Sequence, residues 1–419
     1  MTTAQTTLAQ LRITRLATML PVHRAFHWLH LHQPQLRLWQ LEMLAIPAPT
    51  FAEAARADWF AARFTALGLT NVHLDAAGNA LAELPGGNSE PNQPYLLLSA
   101  HLDTVFPAGT DTTPTEYGPR ILGPGACDNG AGLTALLALI AALKYAEIVP
   151  PIPILFAANV GEEGEGDLRG MRHLFTRGPY AGRIAAALAL EGSGTATAVT
   201  RALGSRRFRV TIAGPGGHSW TDATTPNPIT LLSRAIAALA DSPSLTSTDG
   251  ETRTTLSPGQ ISGGTSINSI PQSASVTLDL RSTDPAQLDL NAAAIHRTFA
   301  HIVAQANQQS PQTPIQPSIT LDFETIGDRP AAALPTDSPL LDTLRAVDRH
   351  LGLRTELRLG STDANIPLAL NIPALALSAG GLGGGIHTLA EWYDPTGRET
   401  ALRRILLTLL DLTATAPSV

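Results

Sequence analysis

Three apolar runs, LLLSA at 96–100, PILFAA at 153–158 and IAAALAL at 184–190, constrain this chain more than any other feature. Each is too continuous for a strand with one wet face and too short for a membrane span, so each reads as a strand buried on both faces of a sheet. Helical stretches lie between them, AGLTALLALIAALKY at 131–145 and RGMRHLF at 169–175. Strands alternating with helices predict an α/β domain with a largely parallel sheet.

The pattern changes beyond residue 200. RRFRVTIAG at 206–214 and SVTLDLRS at 275–282 alternate like half-exposed strands, helices are expected over 228–240 and 285–304, and SITLDFETI at 318–326 closes the stretch. With TTLSPGQISGG at 254–264 as the second strand, the order β-α-β-β-α-β predicts an α+β, ferredoxin-like domain. The α/β style resumes with a helix over 338–352, strand IPALALSA at 372–379 and a final helix over 398–412. The reading is a catalytic domain from 1–199 and 328–419, split by an inserted domain at 200–327. Ser/Thr/Gln/Pro-rich patches near 242–258 and 306–317 read as loops. The first 45 residues repeat leucine at helical spacing, interrupted by Pro21 and Pro34, and residues 1–40 read as a helical extension that docks on the rest. His23, His27 and His30 share a helical face without an acidic companion and read as surface residues.

Length and charge narrow the function. At about 150 residues per domain, 419 residues allow two to three domains, or one with an insertion. An excess of 35 Asp+Glu over 28 Lys+Arg excludes the basic footprint of a nucleic-acid binder. The single cysteine, Cys127, excludes a disulfide framework and any multi-cysteine metal site, which leaves imidazole and carboxylate as ligands. The longest apolar stretch, 131–143, is too short to span a membrane, and residues 1–20 lack the apolar core of a secretory signal, so a soluble cytoplasmic protein is expected.

Polar residues cluster where the apolar strands end. His101 and Asp103 stand two apart in SAHLDT, a spacing that suits a histidine ligand oriented by a carboxylate. Asp128 lies between glycine-rich turns in GPGACDNGAG, where a helix N-cap is the plain alternative. Glu162 and Glu163 in NVGEEGEGD repel one another unless a cation or a shared proton intervenes, the plain alternative being a solvated acidic loop. Glu191 follows a third strand, and His387 follows the glycine-rich loop after a fourth. Taken together, two histidines and four carboxylates form the donor set of a two-metal site with one carboxylate left as base. Cys127 has no histidine partner to activate it, Ser193 lacks a G-x-S-x-G frame, and GLGGG at 381–385 lacks the helix of a dinucleotide fingerprint.

In this order SAHLDTV, GPGACDNGAGL, GEEGEGDLRG, LEGSG, GGHSW, GGTSINSIP, LDLRS, GSTDANIP and the late IHT resemble the M20 metallopeptidase family from residue 40 to the C-terminus. GEEGEGDLRGMRHLF and GGHSWTDATTPNPI look most like its tripeptidase-like and acetylornithine deacetylase/succinyl-diaminopimelate desuccinylase-related branch. The resemblance implies a phosphorylase/hydrolase-like zinc-peptidase domain with an inserted lid and dimerisation domain. It implies two zinc ions, one on His101, Asp128 and Glu191, the other on Asp128, Glu163 and His387, with cobalt or manganese as substitutes. Asp103 would orient His101, Glu162 would be the general base, and the bond from Asp128 to Asn129 would be cis. His218 would stabilise an oxyanion, Asn268 and Arg281 would hold substrate, and Gly360 would line the pocket. The expected enzyme is a homodimeric hydrolase of short peptides. An N-acyl-amino-acid deacylase of the same family is the alternative, and a silent binding protein is disfavoured because every expected position is filled.

Overall fold

Proline lacks an amide proton, which makes it poor inside a helix and well suited to a helix's first turn. In the computed structural model Pro21 and Pro34 sit there, and so open helices rather than interrupt one: α1 (Thr3–Ala17), α2 (Leu20–Leu31) and α3 (Gln33–Leu44). The structure describes residues 3–88, 93–242, 245, 252–309 and 318–415, with side chains from residue 8 onward. The chain divides into two units, Met1–Ala202 with Ala333–Val419, and Leu203–Ala332.

After α3 the large unit continues through α4 (Ala54–Ala66), β1 (Thr70–Leu74), β2 (Ala80–Leu84), β3 (Tyr95–His101), β4 (Thr115–Tyr117) and β5 (Arg120–Leu122). Then come α5 (Gly130–Tyr145), β6 (Ile154–Asn159), α6 (Arg169–Thr176), β7 (Ile184–Leu190) and β8 (Thr197–Ala202). The smaller unit holds β9 (Gly204–Ala213), β10 (Gly217–His218), α7 (Pro228–Ala240), β11 (Thr254–Gly263), β12 (Ser269–Ile270), β13 (Ser273–Ser282), α8 (Pro285–Gln309) and β14 (Thr320–Arg329). The chain closes with β15 (Ala332–Ala333), α9 (Pro339–His350), β16 (Glu356–Gly360), α10 (Asn365–Ala369), β17 (Ala374–Leu377), β18 (Leu382–Gly384), β19 (Trp392–Asp394) and α11 (Arg398–Thr415).

The large sheet runs β1-β2-β6-β3-β7-β17-β8-β15, with β16 on β8. Its centre is parallel, β6 with β3, β3 with β7 and β7 with β17, and the three strands formed from the apolar runs, β3, β6 and β7, are wholly buried. Antiparallel pairs at β1–β2, β2–β6 and β17–β8 make the whole sheet mixed. Helix α5 is buried along its length except at Lys144 and Tyr145, because it packs on β3 and β7 and is covered in turn by α2, α3 and α11. The N-terminal helices thus form the outer layer of this unit, with α1 on α9 and α11. The Arg12 guanidinium fixes α1 by donating to both carboxylate oxygens of Asp411, at 3.0 and 2.9 Å. Among the described residues no helix is long and apolar enough to cross a membrane.

Within the smaller unit the sheet order is β11-β13-β9-β14, the ferredoxin-like arrangement expected of β-α-β-β-α-β. Alternate residues of β9 and β13, including Phe208, Val210, Ile212, Val276, Leu278 and Leu280, pack on Leu232 of α7 and Ile295 and Phe299 of α8. The loop expected over 242–258 is corrected at its end, where β11 begins at Thr254 and pairs with β13. Serine, threonine and proline are tolerated there because β11 is an edge strand, exposed from Ser257 on. Likewise 306–309 belongs to α8, while 243–244, 246–251 and 310–317 of the two patches lie outside the described residues.

Candidate metal centre and active site

Three neighbouring parallel strands bring their carboxyl ends together, the edge where open α/β sheets place their sites. His101 is the last residue of β3, Glu191 follows β7, and Glu162 and Glu163 stand shortly after β6. Asp128 comes from the turn before α5, and its peptide bond to Asn129 is cis. The helix N-cap is Asn129, whose side chain accepts from the Gly132 N–H, so Asp128 is left free to face the strand ends. His387 lies between β18 and β19 with φ 64°, in the left-handed region.

The five residues expected as ligands meet. Asp128 Oδ1 lies 3.1 Å from His101 Nε2, which is 3.2 Å from Glu191 Oε1. Asp128 Oδ2 lies 3.1 Å from His387 Nε2, which is 3.1 Å from Glu163 Oε1. One carboxylate therefore spans two separate sets, each made of an imidazole and a second carboxylate. His101 Nδ1 donates to the Asp103 backbone carbonyl at 3.0 Å, which leaves the Nε2 lone pair available to a cation. The Asp103 carboxylate stands farther from that nitrogen, at 3.6 Å, and does other work. It accepts the N–H groups of Glu162 and Glu163, both at 2.9 Å, and the Thr50 hydroxyl at 3.0 Å. Both glutamates are buried, at 5% and 7% exposure, which excludes the solvated-loop reading.

The ionisation of the cluster follows from these contacts. Burial would raise Asp128, but hydrogen bonds from His101 and His387 outweigh it and hold its carboxyl well below the usual carboxylate range. Burial lifts Glu191 to about 7, and burial with the Asp128 charge raises Glu163. His387 is raised to about 9, first by its hydrogen bond to Asp128. For His101, burial alone would lower the value, and the charge of Glu191 with the bonds to Asp103 and Asp128 reverses it.

The donors fit a divalent cation. His101, Asp128 and Glu163 offer ligand atoms within 4.8 Å of one another. The buried Glu191 Oε2 has no hydrogen-bond partner. Crowded, buried carboxylates call for a counter-cation, and imidazole with carboxylate suits zinc, cobalt or manganese. Cys127 is buried with its thiol pushed up to about 11, first by that burial, which keeps it inert.

Gly360 ends β16, where an added Cβ would approach Val199 Cγ2 to 3.2 Å. His218, Asn268 and Arg281 belong to the smaller unit. There His218 pairs with Ser269, the neighbour of Asn268, and His218 Nδ1 accepts from the Trp220 N–H at 3.2 Å. Arg281, on β13, donates to Asp279 at 2.8 Å.

Several residues that hold the site carried no readable signal in the sequence. Glu391, 1% exposed, accepts three backbone N–H groups from the Asp128 turn, and Gln40 of α3 donates to Ala126 O of that turn at 2.9 Å. Arg56, fully buried and pushed down to about 10 by that burial, donates to Leu102 O and Ile46 O behind Asp103. A cavity beside His387 is lined by Val105, Phe106, Pro107, Thr110, Pro124 and Leu389, among others.

Comparison with known proteins bears on the fold and the family. A probable carboxypeptidase of Aspergillus clavatus is 28% identical over 285 residues, covering 62% of each chain, so the match spans less than two thirds of that relative. A tripeptidase from Staphylococcus aureus superposes with a TM-score of 0.71 at 22% identity, covering 90% of this chain and 98% of that one. A dinuclear metal-binding peptidase of the M20 family from Bacillus subtilis gives 0.65 at 15% identity, covering 91% and 98%. At such identities the likeness is one of fold. The model of peptidase family M20/M25/M40 matches residues 97–411, a span that takes in every donor at the site, and the chain belongs to that family.

Proposed function

We propose that this protein is a metal-dependent hydrolase that cleaves an amide bond of short peptides, of the aminopeptidase, dipeptidase or tripeptidase kind. The observation that carries the reading is the division of Asp128, one oxygen to His101 and the other to His387, each imidazole with its own carboxylate. His101, Asp128 and Glu191 would hold one ion and Asp128, Glu163 and His387 the other, zinc first, with cobalt or manganese able to use the same donors. Bound there, a pair of divalent cations supplies the Lewis acidity that polarises a scissile carbonyl and brings the pKa of an attacking water toward neutrality.

The chain's own residues do the rest. Glu162 takes the proton of the attacking water on its carboxylate and returns it to the departing amine. Asp103 fixes the Glu162 and Glu163 backbone and, through its carbonyl, the His101 ring. His218 is assigned the oxyanion, a role supported by its occupied Nδ1, which leaves Nε2 to carry the proton. Asn268 and Arg281 are assigned to substrate, with Gly360 at the pocket wall and the apolar cavity beside His387 receiving a side chain. The smaller unit is read as a lid and homodimerisation domain, supported by the exposed edge strand β11. The single buried thiol fits a cytoplasmic compartment.

The test is a panel of di- and tripeptides and N-acetyl amino acids, read by mass spectrometry on protein reconstituted with zinc, cobalt or manganese. Release of an amino acid from free-amine peptides is expected, and acyl release alone would move the protein to the deacylases. Glu162→Ala should lower kcat by roughly 10²- to 10⁴-fold with both ions retained. A near-normal rate in that variant would remove Glu162 from the base role.

A further inference from the structure

We propose that Glu391 is a positioning residue that locks the turn carrying Asp128 to the turn carrying His387, so that one buried carboxylate sets the spacing of two donors to the same ion. The glycine-rich segment 123–128 forms neither helix nor strand, so apart from Ala126, which donates to Gly123 O at 3.1 Å, its N–H groups need acceptors from elsewhere. Glu391 supplies them. Its Oε2 accepts from Gly125 at 2.9 Å, and its Oε1 accepts from Cys127 at 2.8 Å and from Asp128 itself at 2.7 Å. Its backbone carbonyl accepts from Gly123 at 2.9 Å. Four N–H groups of one segment thus end on one residue, three of them in charge-assisted bonds.

On its other side Glu391 closes the His387 turn. Its N–H donates to Thr388 O at 3.1 Å, and the Thr388 N–H donates to Gly385 O at 3.0 Å. A ring of covalent and hydrogen-bonded links therefore runs from His387 through Glu391 to Asp128. It closes where His387 Nε2 meets Asp128 Oδ2 at 3.1 Å. Movement of Glu391 changes that separation directly. The His101 and Glu191 pair is held differently, by β3, β7 and the Asp103 carbonyl. The adjoining ladder of β5 with β19 already joins the two segments structurally, so a bare brace would not need three further bonds aimed at Asp128 and its neighbours.

The proposal rests on the two-ion reading above, and the experiment separates the two. Metal-free full-length protein is titrated with Co²⁺, followed by calorimetry and visible absorption, for the wild type, Glu391→Gln and Glu391→Asp. Glutamine keeps the shape and one oxygen but turns an NH₂ group toward a backbone N–H. Glu391→Gln should weaken the ion on His387 and Glu163 by roughly 10- to 100-fold and change its absorption bands, with the ion on His101 and Glu191 within about threefold of wild type. Glu391→Asp should show the same inequality, smaller. A wild type that binds fewer than two ions would overturn the two-ion reading and this proposal with it. Two ions in the wild type, with either both affinities unchanged in the variants or both reduced alike in step with melting temperature, would overturn the positioning role alone. Failure of both variants to fold would make Glu391 a stabilising brace and overturn it as well.

Discussion

Asp128 offers one oxygen to each imidazole, so its replacement removes a donor from both sets at once, whereas His387 serves one. Asp128→Ala should therefore lose both ions on dialysis, and His387→Ala should keep the one on His101 and Glu191. Metal content by mass spectrometry checks this, and two ions retained by Asp128→Ala would refute the bridging role. The pH dependence follows from the same contacts. In the metal-free protein Glu191, at about 7 chiefly through burial, and His387, at about 9 through its bond to Asp128, hold protons more tightly folded than unfolded. Their contribution to stability is complete below the unfolded values, about 4.3 and 6.5, and is lost as pH rises through the folded ones. Cations must displace those protons, so the stabilisation by zinc grows over the same interval. Melting temperature in chelator should fall from pH 6 to 9 while the gain from zinc rises. Calorimetric scans at fixed zinc measure both, and a gain that shrinks with pH would contradict the assignment.

At the scale of elements, a buried ion pair joins the last helix to the sheet. Arg404 of α11 binds Asp348 of α9 at 2.5 and 2.9 Å and also donates to Thr197 O and Ala196 O at the start of β8. Asp348→Ala leaves that guanidinium buried without its anion and should cost about 3–5 kcal/mol in denaturant unfolding. A loss below about 1 kcal/mol would show that the carbonyls alone satisfy it. Elements of this kind divide by how visible they are in the sequence. The runs of β3, β6 and β7 were legible because strands buried on both faces are continuously apolar, and their donors because a polar residue at the end of such a run has no packing reason to be there. Strands β8 and β16, TAVTRA and ELRLG, are not legible, since partial exposure admits threonine and arginine. Glu391 was illegible for a different reason. It lies in a turn without periodicity, and its partners at 125–128 are more than 260 residues away in sequence, so only the topology that sets β19 beside β5 reveals them.

Over the whole molecule the chain passes between the two units where neighbouring strands leave and return. Leu334, just after β15, donates to Thr200 O of β8 at 2.9 Å, and in the smaller unit Arg329 of β14 pairs with Ser205 of β9. The smaller unit also has its own core between one sheet face and two helices. Residues 203–332 expressed alone should therefore melt cooperatively and give a dispersed amide spectrum, and a collapsed spectrum would refute their autonomy. The five proposed ligands all lie outside that segment. For the large sheet, residues 203–331 are one closed loop between the adjacent strands β8 and β15. The unit's own sheet holds its two ends together at the Arg329–Ser205 pair, so the large sheet does not bear the closure entropy of a flexible loop of that length. Insertions and deletions can therefore accumulate between β8 and β15 while the strand ends beside the proposed ligands keep their register.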